Sequence, residues 1–268
     1  MKKTVLIFFL TAIVVSCEKE TPAIIENTDI PLISKVLVDG DLYYEYTYNE
    51  ANLISEEKSK FFYTSHIYGT DNRLLKSDYY VDPGIFSSSM EVLQATLDRK
   101  EWVNPDNTEK SLTTSFEYDS KGKLIRKTYT RPSAAHSEFS EFTWENDKIT
   151  KVKMYRMDEL SGYVDYEYDD KGNLTKQDKY MLGQGGSPVL WACTEYEYDD
   201  MNNPYQSFKR LITPGKYTNR NNIIKEQYTV YTEDDPEPDN ISIVEYLYEY
   251  NEQGYPVRVN GDVEYVYK

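Results

Sequence analysis

The chain has 268 residues, 27 of them tyrosine, and a formal net charge of −16. Acidity of this degree repels polyanions and excludes nucleic acid and anionic lipid headgroups as natural partners. With only two cysteines and two histidines, neither a disulfide framework nor a Cys/His metal cluster is available, so stability has to come from a buried core.

In chain order, the first element is an address. Lys2 and Lys3 precede the apolar run Val5–Val15, which is too short to cross a bilayer as a helix. The run closes on Val14-Val15-Ser16-Cys17, an order that resembles the lipobox of bacterial lipoproteins. The resemblance implies that residues 1–16 are a removable signal peptide and that Cys17 becomes the acylated N-terminus. Each buried methylene of an acyl chain contributes about 0.8 kcal/mol, so two or three chains hold a protein firmly on a membrane. Residues 17–31, with Pro22 and Pro31, read as the lipidated cysteine and a tether. Glu18-Lys19-Glu20 resembles the signal that sends Bacteroidota lipoproteins to the outer face of the outer membrane. Once Cys17 is acylated, Cys193 has no intrachain partner.

Residues 32–268 read as one β domain built on a repeated phrase. Its clearest copies are Phe116–Arg126 (FEYDSKGKLIR) and Tyr166–Lys176 (YEYDDKGNLTK). In the second copy Val164, Tyr166 and Tyr168 alternate with Asp165 and Glu167, which marks a half-buried strand with aromatics inward and acids outward. Asp169-Asp170-Lys171-Gly172-Asn173 then reverses the chain as a type I turn plus bulge, and Leu174 opens the return strand. Further copies start at Tyr44, His66, Phe142, Tyr196 and Tyr248, and a worn one is expected at Tyr217–Lys225. Trp144 stands in a tyrosine slot, Pro204 marks a departing strand, and Val263–Tyr267 is a last half-copy. The second aromatics, 48, 68, 118, 144, 168, 198, 250 and 267, are spaced by about 25 residues, with two steps near 50 that read as skipped degraded copies. The fold class is all-β: roughly 16 to 20 antiparallel strands in one curled or barrel-like meander. In the insertion Val81–Thr113, the capping-box pattern Ser88–Glu91 and the row Met90, Leu93 and Leu97 predict one short helix.

Catalytic signals are sparse. His66 sits in a repeat strand and reads as a packed or rim residue, far in sequence from His136. The carboxylate pairs Asp169-Asp170 and Asp199-Asp200 fall at repeat turns, where turn formation explains them. No phosphate loop, HExxH pair or nucleophile elbow is present. The acidic stretch Glu233–Asn240 offers Asp234, Asp235 and Asp239 as weak metal ligands, but it lacks EF-hand spacing and reads as a solvated loop. Two tryptophans fall outside the pattern. Strict alternation puts Trp191 on the wet face with Glu195 and Glu197, and Trp102 lies in the insertion. Both are candidates for stacking on a sugar ring or anchoring an interface.

The phrase Tyr-x-Tyr-Asp-x-x-Gly-Asn-Leu resembles the YD repeats of Rhs-type proteins, closely at Tyr166–Lys176 and loosely elsewhere. With the lipobox, the chain resembles the small YD-repeat lipoproteins of Bacteroidota. A curled antiparallel sheet is what the resemblance implies, without the toxin-enclosing shell of the large Rhs proteins, for which this chain is too short. The expectation is a non-enzymatic, cofactor-free binding module for a glycan or protein, held at the outer membrane by its lipid and displayed on the surface. The alternatives are an accessory subunit docked on an envelope protein and, third, a hydrolase. Protease shaving of intact cells checks the placement. Loss of the domain is expected; an untouched domain would put it in the periplasm.

Overall fold

A computed structural model describes residues 30–268 apart from 99–101, 133, 135, 184 and 233–234, and without the side chains of Leu97 and of 232–239. The expectations for residues 1–16, Cys17 and Glu18–Glu20 lie outside the described residues, as does Asp234.

Seventeen antiparallel strands form one sheet. The first hairpins are β1 (Ile33–Val38), β2 (Asp41–Tyr48), β3 (Ile54–Ser59), β4 (Phe62–Tyr68) and β5 (Leu74–Val81). The helical insertion follows, with a 3₁₀ turn at Pro83–Phe86 and helix α1 (Met90–Asp98). The meander resumes as β6 (Lys110–Tyr118), β7 (Leu124–Thr130), β8 (Glu138–Glu145), β9 (Lys148–Arg156), β10 (Glu159–Tyr168), β11 (Leu174–Leu182) and β12 (Pro188–Tyr198). After a second insertion come β13 (Ile223–Thr232), β14 (Asp235–Glu245), β15 (Tyr248–Tyr250), β16 (Pro256–Val259) and β17 (Val263–Tyr267). Neighbours in sequence are neighbours in the sheet, and β1 also pairs with β17, so the first strand sits between the second and the last. The sheet is curled but not closed. Its seam is the run 235–250, whose first half (β14) bonds only β13 and whose second half (β15) bonds only β16.

Five copies of the phrase turn alike. Gly172 N–H donates to Asp169 O (3.1 Å) with φ at +98°, and Asn52, Asn72, Gly122 and Gly254 hold equivalent positive-φ positions. These are left-handed conformations that glycine and asparagine adopt at least cost. The opening Asp or Asn closes the turn by accepting backbone N–H groups, as Asp119 does from Lys121 and Lys123 at 2.8 and 2.9 Å. A β-bulge follows in every copy. Tyr168 pairs with Leu174 but Glu167 pairs with Lys176, which leaves Thr175 unopposed, and the same slip recurs after Ile54, Leu74, Leu124, Ile149, Ile223 and Pro256. A bulge adds local bend and twist. Seven in register curl the sheet.

The second aromatic of the phrase ties each copy to the one before. The hydroxyls of Tyr48, Tyr68, Tyr118 and Tyr168 donate to the backbone carbonyls of Ile33, Ile54, Leu74 and Ile149 at 2.7–2.8 Å. Tyr198 and Tyr267 donate likewise to Leu174 and Pro256. Trp144 does the same through its indole N–H, to Leu124 O at 2.7 Å. The hydroxyl thus finds its partner on the neighbouring repeat's backbone. In the seventh copy Tyr248 reaches Ile223 O (2.9 Å), while Tyr250 donates to the Asp199 carboxylate.

The two long steps between copies are insertions and skip no degraded copy. One is 82–109. Its helix forms as expected, with Ser89 rather than Ser88 as the cap, accepting from Val92 N–H at 3.5 Å. Helix α1 packs on the 3₁₀ turn through buried Thr96, above Gly84; of the expected apolar row, Leu93 is half-buried and Met90 is 73% exposed. The other insertion, 200–222, replaces the four-residue turn of the sixth copy, since Asp199 N–H bonds Asn222 O there. Ile223–Lys225 is therefore that copy's return strand, and the worn copy expected at Tyr217–Lys225 does not exist. Pro204 does end the run of strand, as N1 of a 3₁₀ helix (Pro204–Leu211) capped by Asn203.

That helix folds into the concave face of the sheet. Phe208, fully buried, meets Tyr46 and Tyr205 edge-on at 4.9 and 5.5 Å. With Tyr205 and Leu211 it completes a core shared with Ile33, Val36, Ile54 and Leu74. From the opposite wall Lys127 donates to the carbonyl of Ile212, the left-handed residue ending the helix, at 3.0 Å. Burial pushes the Lys127 ammonium down to about 8.

Two outcomes are expected. Tyr168→Phe lowers stability in urea by about 0.5–1.5 kcal/mol, the worth of one hydrogen bond; Tyr166→Phe is near neutral, because the Tyr166 hydroxyl has no partner among the described residues. Equal losses would refute the ladder. The second concerns alkaline pH. Burial pushes Tyr118 and Tyr166 up to about 12, against about 10 in an unfolded chain. The fold thus keeps protons that the unfolded chain releases, and stability present below pH ~10 is lost as pH rises toward about 12. Tyrosinate absorbance and far-UV circular dichroism should change together in one step. Graded ionisation of an intact fold would contradict this.

Candidate functional site

The plug leaves part of the lumen empty. A cavity of about 750 Å³ lies between it and the walls made by β1–β5 and β12–β17. Asn203, Tyr205, Lys216 and Tyr217 of the plug form one side, and Val38, Tyr43 and Asn260 lie toward the end opposite the repeat turns.

The lining sorts the tyrosines into two kinds. Second-slot tyrosines are committed to backbone carbonyls, except in the seventh copy, where Tyr248 takes the carbonyl and Tyr250 the Asp199 carboxylate. Tyr44, Tyr46, Tyr217 and Tyr246 line the cavity with hydroxyls that have no hydrogen-bond partner among the described residues. The asparagines of the plug, by contrast, are used internally. Asn203 donates to the carbonyls of Lys216 and Asn219 at 2.7 and 2.9 Å, and Asn219 accepts from Leu174 N–H at 2.9 Å and donates to the Tyr198 hydroxyl at 3.0 Å. They hold the insertion in place.

Three ionisable groups face this space: Glu57, Glu226 and Lys216. The inward direction of the two glutamates is set by the bulge. In a return strand the leading Leu or Ile points in, the bulged residue is unopposed, the next points out and the fourth points in. Glu57, Ser77, Lys127 and Glu226 all hold that fourth place, after Ile54, Leu74, Leu124 and Ile223. Strict alternation from the leading residue would put all four outside, which is why sequence reading missed them. The bulge recurring after each leading residue is the signal that finds them.

Glu57 belongs to a row across three strands. His66 Nε2 donates to Glu57 Oε1 at 3.0 Å, and His66 Nδ1 lies 2.8 Å from Ser77 Oγ. Since a carboxylate only accepts, a neutral His66 carries its proton on Nε2 and accepts from the Ser77 hydroxyl. His66 is packed, as expected, with its side chain 4% exposed. Its neighbours in the sheet have their backbone N–H groups in ladders, so no oxyanion site adjoins Ser77. Lys216 lies 3.9 Å from the Tyr205 ring centroid, and desolvation draws its ammonium below the usual lysine range while Glu57 acts in the opposite sense. Glu226 has no hydrogen bond or ion pair among the described residues, and burial raises its carboxyl.

The candidates from sequence lie elsewhere. Trp191 is 41% exposed and no layer covers it, but it is off the Glu195 face. A bulge sets Trp191 and Ala192 together opposite Lys179, whose ammonium lies 4.5 Å from the indole centroid. Trp102 is half-buried between α1 and β6, and neither tryptophan lines the cavity. His136 contacts Arg156 (3.1 Å), well away from His66 in the sheet order. Asp169 and Asp199 are turn caps, as read. The backbone of Asp235–Asn240 opens β14 instead of forming a solvated loop, because it pairs with the end of β13. The side chains of Asp235 and Asp239 are not described, and among the described residues no group of three His, Cys, Asp or Glu side chains could hold a metal.

No family model matches the chain, and no curated protein does. Among solved structures, a porin-like protein from Bacteroides uniformis overlaps 88% of this chain and 98% of its own at 11% identity and a TM-score of 0.42. A porin-like protein from Bacteroides vulgatus overlaps 89% and 99% at 11% identity and a TM-score of 0.38. The TcdB2-TccC3 structure overlaps 84% of this chain and 10% of its own at 12% identity and a TM-score of 0.32. Overlap of this degree carries no argument about activity or ligand.

Proposed function

We propose that the protein is a cell-envelope binding module whose plugged, curled sheet holds a short glycan in its lumen, and that the lipidated Cys17 anchors it to the outer membrane as a small YD-repeat lipoprotein. The observation that carries the binding reading is the cavity itself. Its volume suits a small ligand. Its tyrosine rings offer faces to the C–H surfaces of sugars, and its unpartnered hydroxyls and carboxylates offer the polar contacts that fix orientation. A catalytic reading has less behind it, since the Ser77–His66–Glu57 row has no oxyanion donors beside it. No helix of the described residues is long and apolar enough to cross a membrane.

Calorimetric titration with a panel of short oligosaccharides tests the reading. At least one should bind, with Tyr246→Ala weakening it about tenfold, ~1.4 kcal/mol, and Trp191→Ala changing it less than about twofold. A ligand lost with Trp191→Ala and kept with Tyr246→Ala would move the site to the rim. Absence of binding across the panel would remove the glycan reading.

A further inference from the structure

The Glu226 corner of the cavity has a chemistry of its own. Glu226 sits on β13 directly opposite Tyr196 of β12 and opposite Val244 of β14 on its other side. Residues so paired have Cβ atoms about 4.5–5.5 Å apart, and the diagonal neighbour, here Tyr246, stands at about 7–8 Å. Tyr196, Tyr246 and Tyr248 all line the cavity beside it. The carboxylate is therefore walled by aromatic rings.

No side chain among the described residues neutralises it. Glu57, the other carboxylate of the cavity, has His66 at 3.0 Å. Some outward acids of the sheet are paired across strands, as Glu197 is with Lys225 at 2.6 Å and Asp165 with Lys151 at 3.0 Å. Lys216, the only lysine or arginine in the cavity lining, lies over Tyr205 and forms no ion pair with Glu226. A half-buried carboxylate without a partner is a standing cost to the fold. Replacing it with any apolar residue would relieve that cost, so a role at this position has to come from outside the chain.

We infer that Glu226, with Tyr196, Tyr246 and Tyr248, forms an ammonium subsite that takes a protonated amine carried by the ligand, as an amino sugar carries one. The carboxylate supplies the counter-charge, and the ring faces attract the cation through their quadrupoles. Both contributions favour an ammonium over a neutral hydroxyl or an acetamide at the same place. Burial raises the Glu226 carboxyl, and a neighbouring ammonium would act in the opposite sense. The inference rests on the cavity being the ligand site and gives that ligand a charge.

The test uses a glucosamine trimer, its N-acetylated counterpart and the neutral glucose trimer, together with tetramethylammonium, on the wild type and Glu226→Gln. The amine trimer should bind wild type about tenfold or more tightly than the other two. Glu226→Gln should bring it down to their level and change theirs less than about twofold. The variant should also melt at a higher temperature, because it removes an unpaired buried charge, and this checks that it folds. Equal binding of the three trimers, or no effect of Glu226→Gln on the amine trimer, would overturn the ammonium subsite and leave the glycan cavity standing. If no trimer bound but tetramethylammonium bound the wild type and not the variant, the subsite would stand and the glycan reading would fall. No binding of any probe would remove both.

Discussion

The fold depends on one hydrogen bond made again and again, from the second aromatic of the phrase (the first, Tyr248, in the seventh copy) to the first carbonyl of the preceding strand. It is a bond between repeats and not within one, so it fixes how far each hairpin rotates against the last. The requirement is for a donor on an aromatic plate. Tyr48, Tyr68, Tyr118, Tyr168, Tyr198 and Tyr267 meet it with a hydroxyl, and Trp144 meets it with an indole N–H. The first slot carries no such demand and holds His66, Phe116 and Phe142 as well as tyrosines. Phenylalanine never occupies the second.

Curvature follows from the bulge beside each of these bonds, and curvature creates a lumen that must be filled. The chain fills it with the overgrown turn 200–222, latched by Lys127 from one wall and by Asn173 and Leu174 from another, the latter through Asn219 and Asn221. The filling is partial. What remains is a compartment whose walls are first-slot tyrosines and whose charges come from the fourth positions of the return strands. The repeat thus separates its tasks by position: one slot builds, and its neighbour is free to meet a ligand.

The seam has a different character. Between Asp235 and Glu245 the edge of β14 facing away from β13 bonds no strand among the described residues, and Ile241 and Ile243 are 50% and 54% exposed there. Exposed edges invite pairing with other chains. Pro236 and Pro238, set among Asp235, Glu237 and Asp239, are residues that discourage it.

By itself the sequence determined the strand alternation, the turn chemistry, the all-β meander and the presence of one short helix, because these depend on neighbours only a few residues apart. Gly172 demands its turn and Tyr166–Tyr168 its alternation whatever surrounds them. The tertiary structure decided which residues face the lumen. A one-residue bulge inverts every side chain beyond it, so Glu57, Lys127 and Glu226 turned inward and Trp191 left the acidic face. Nor did local pattern reveal that 200–222 folds inward, since Phe208 and Tyr205 find their partners on Tyr46 and Ile54, far away along the chain. A cavity is a property of the curled sheet as a whole, and only the sum of seven bulges and one plug could set its shape.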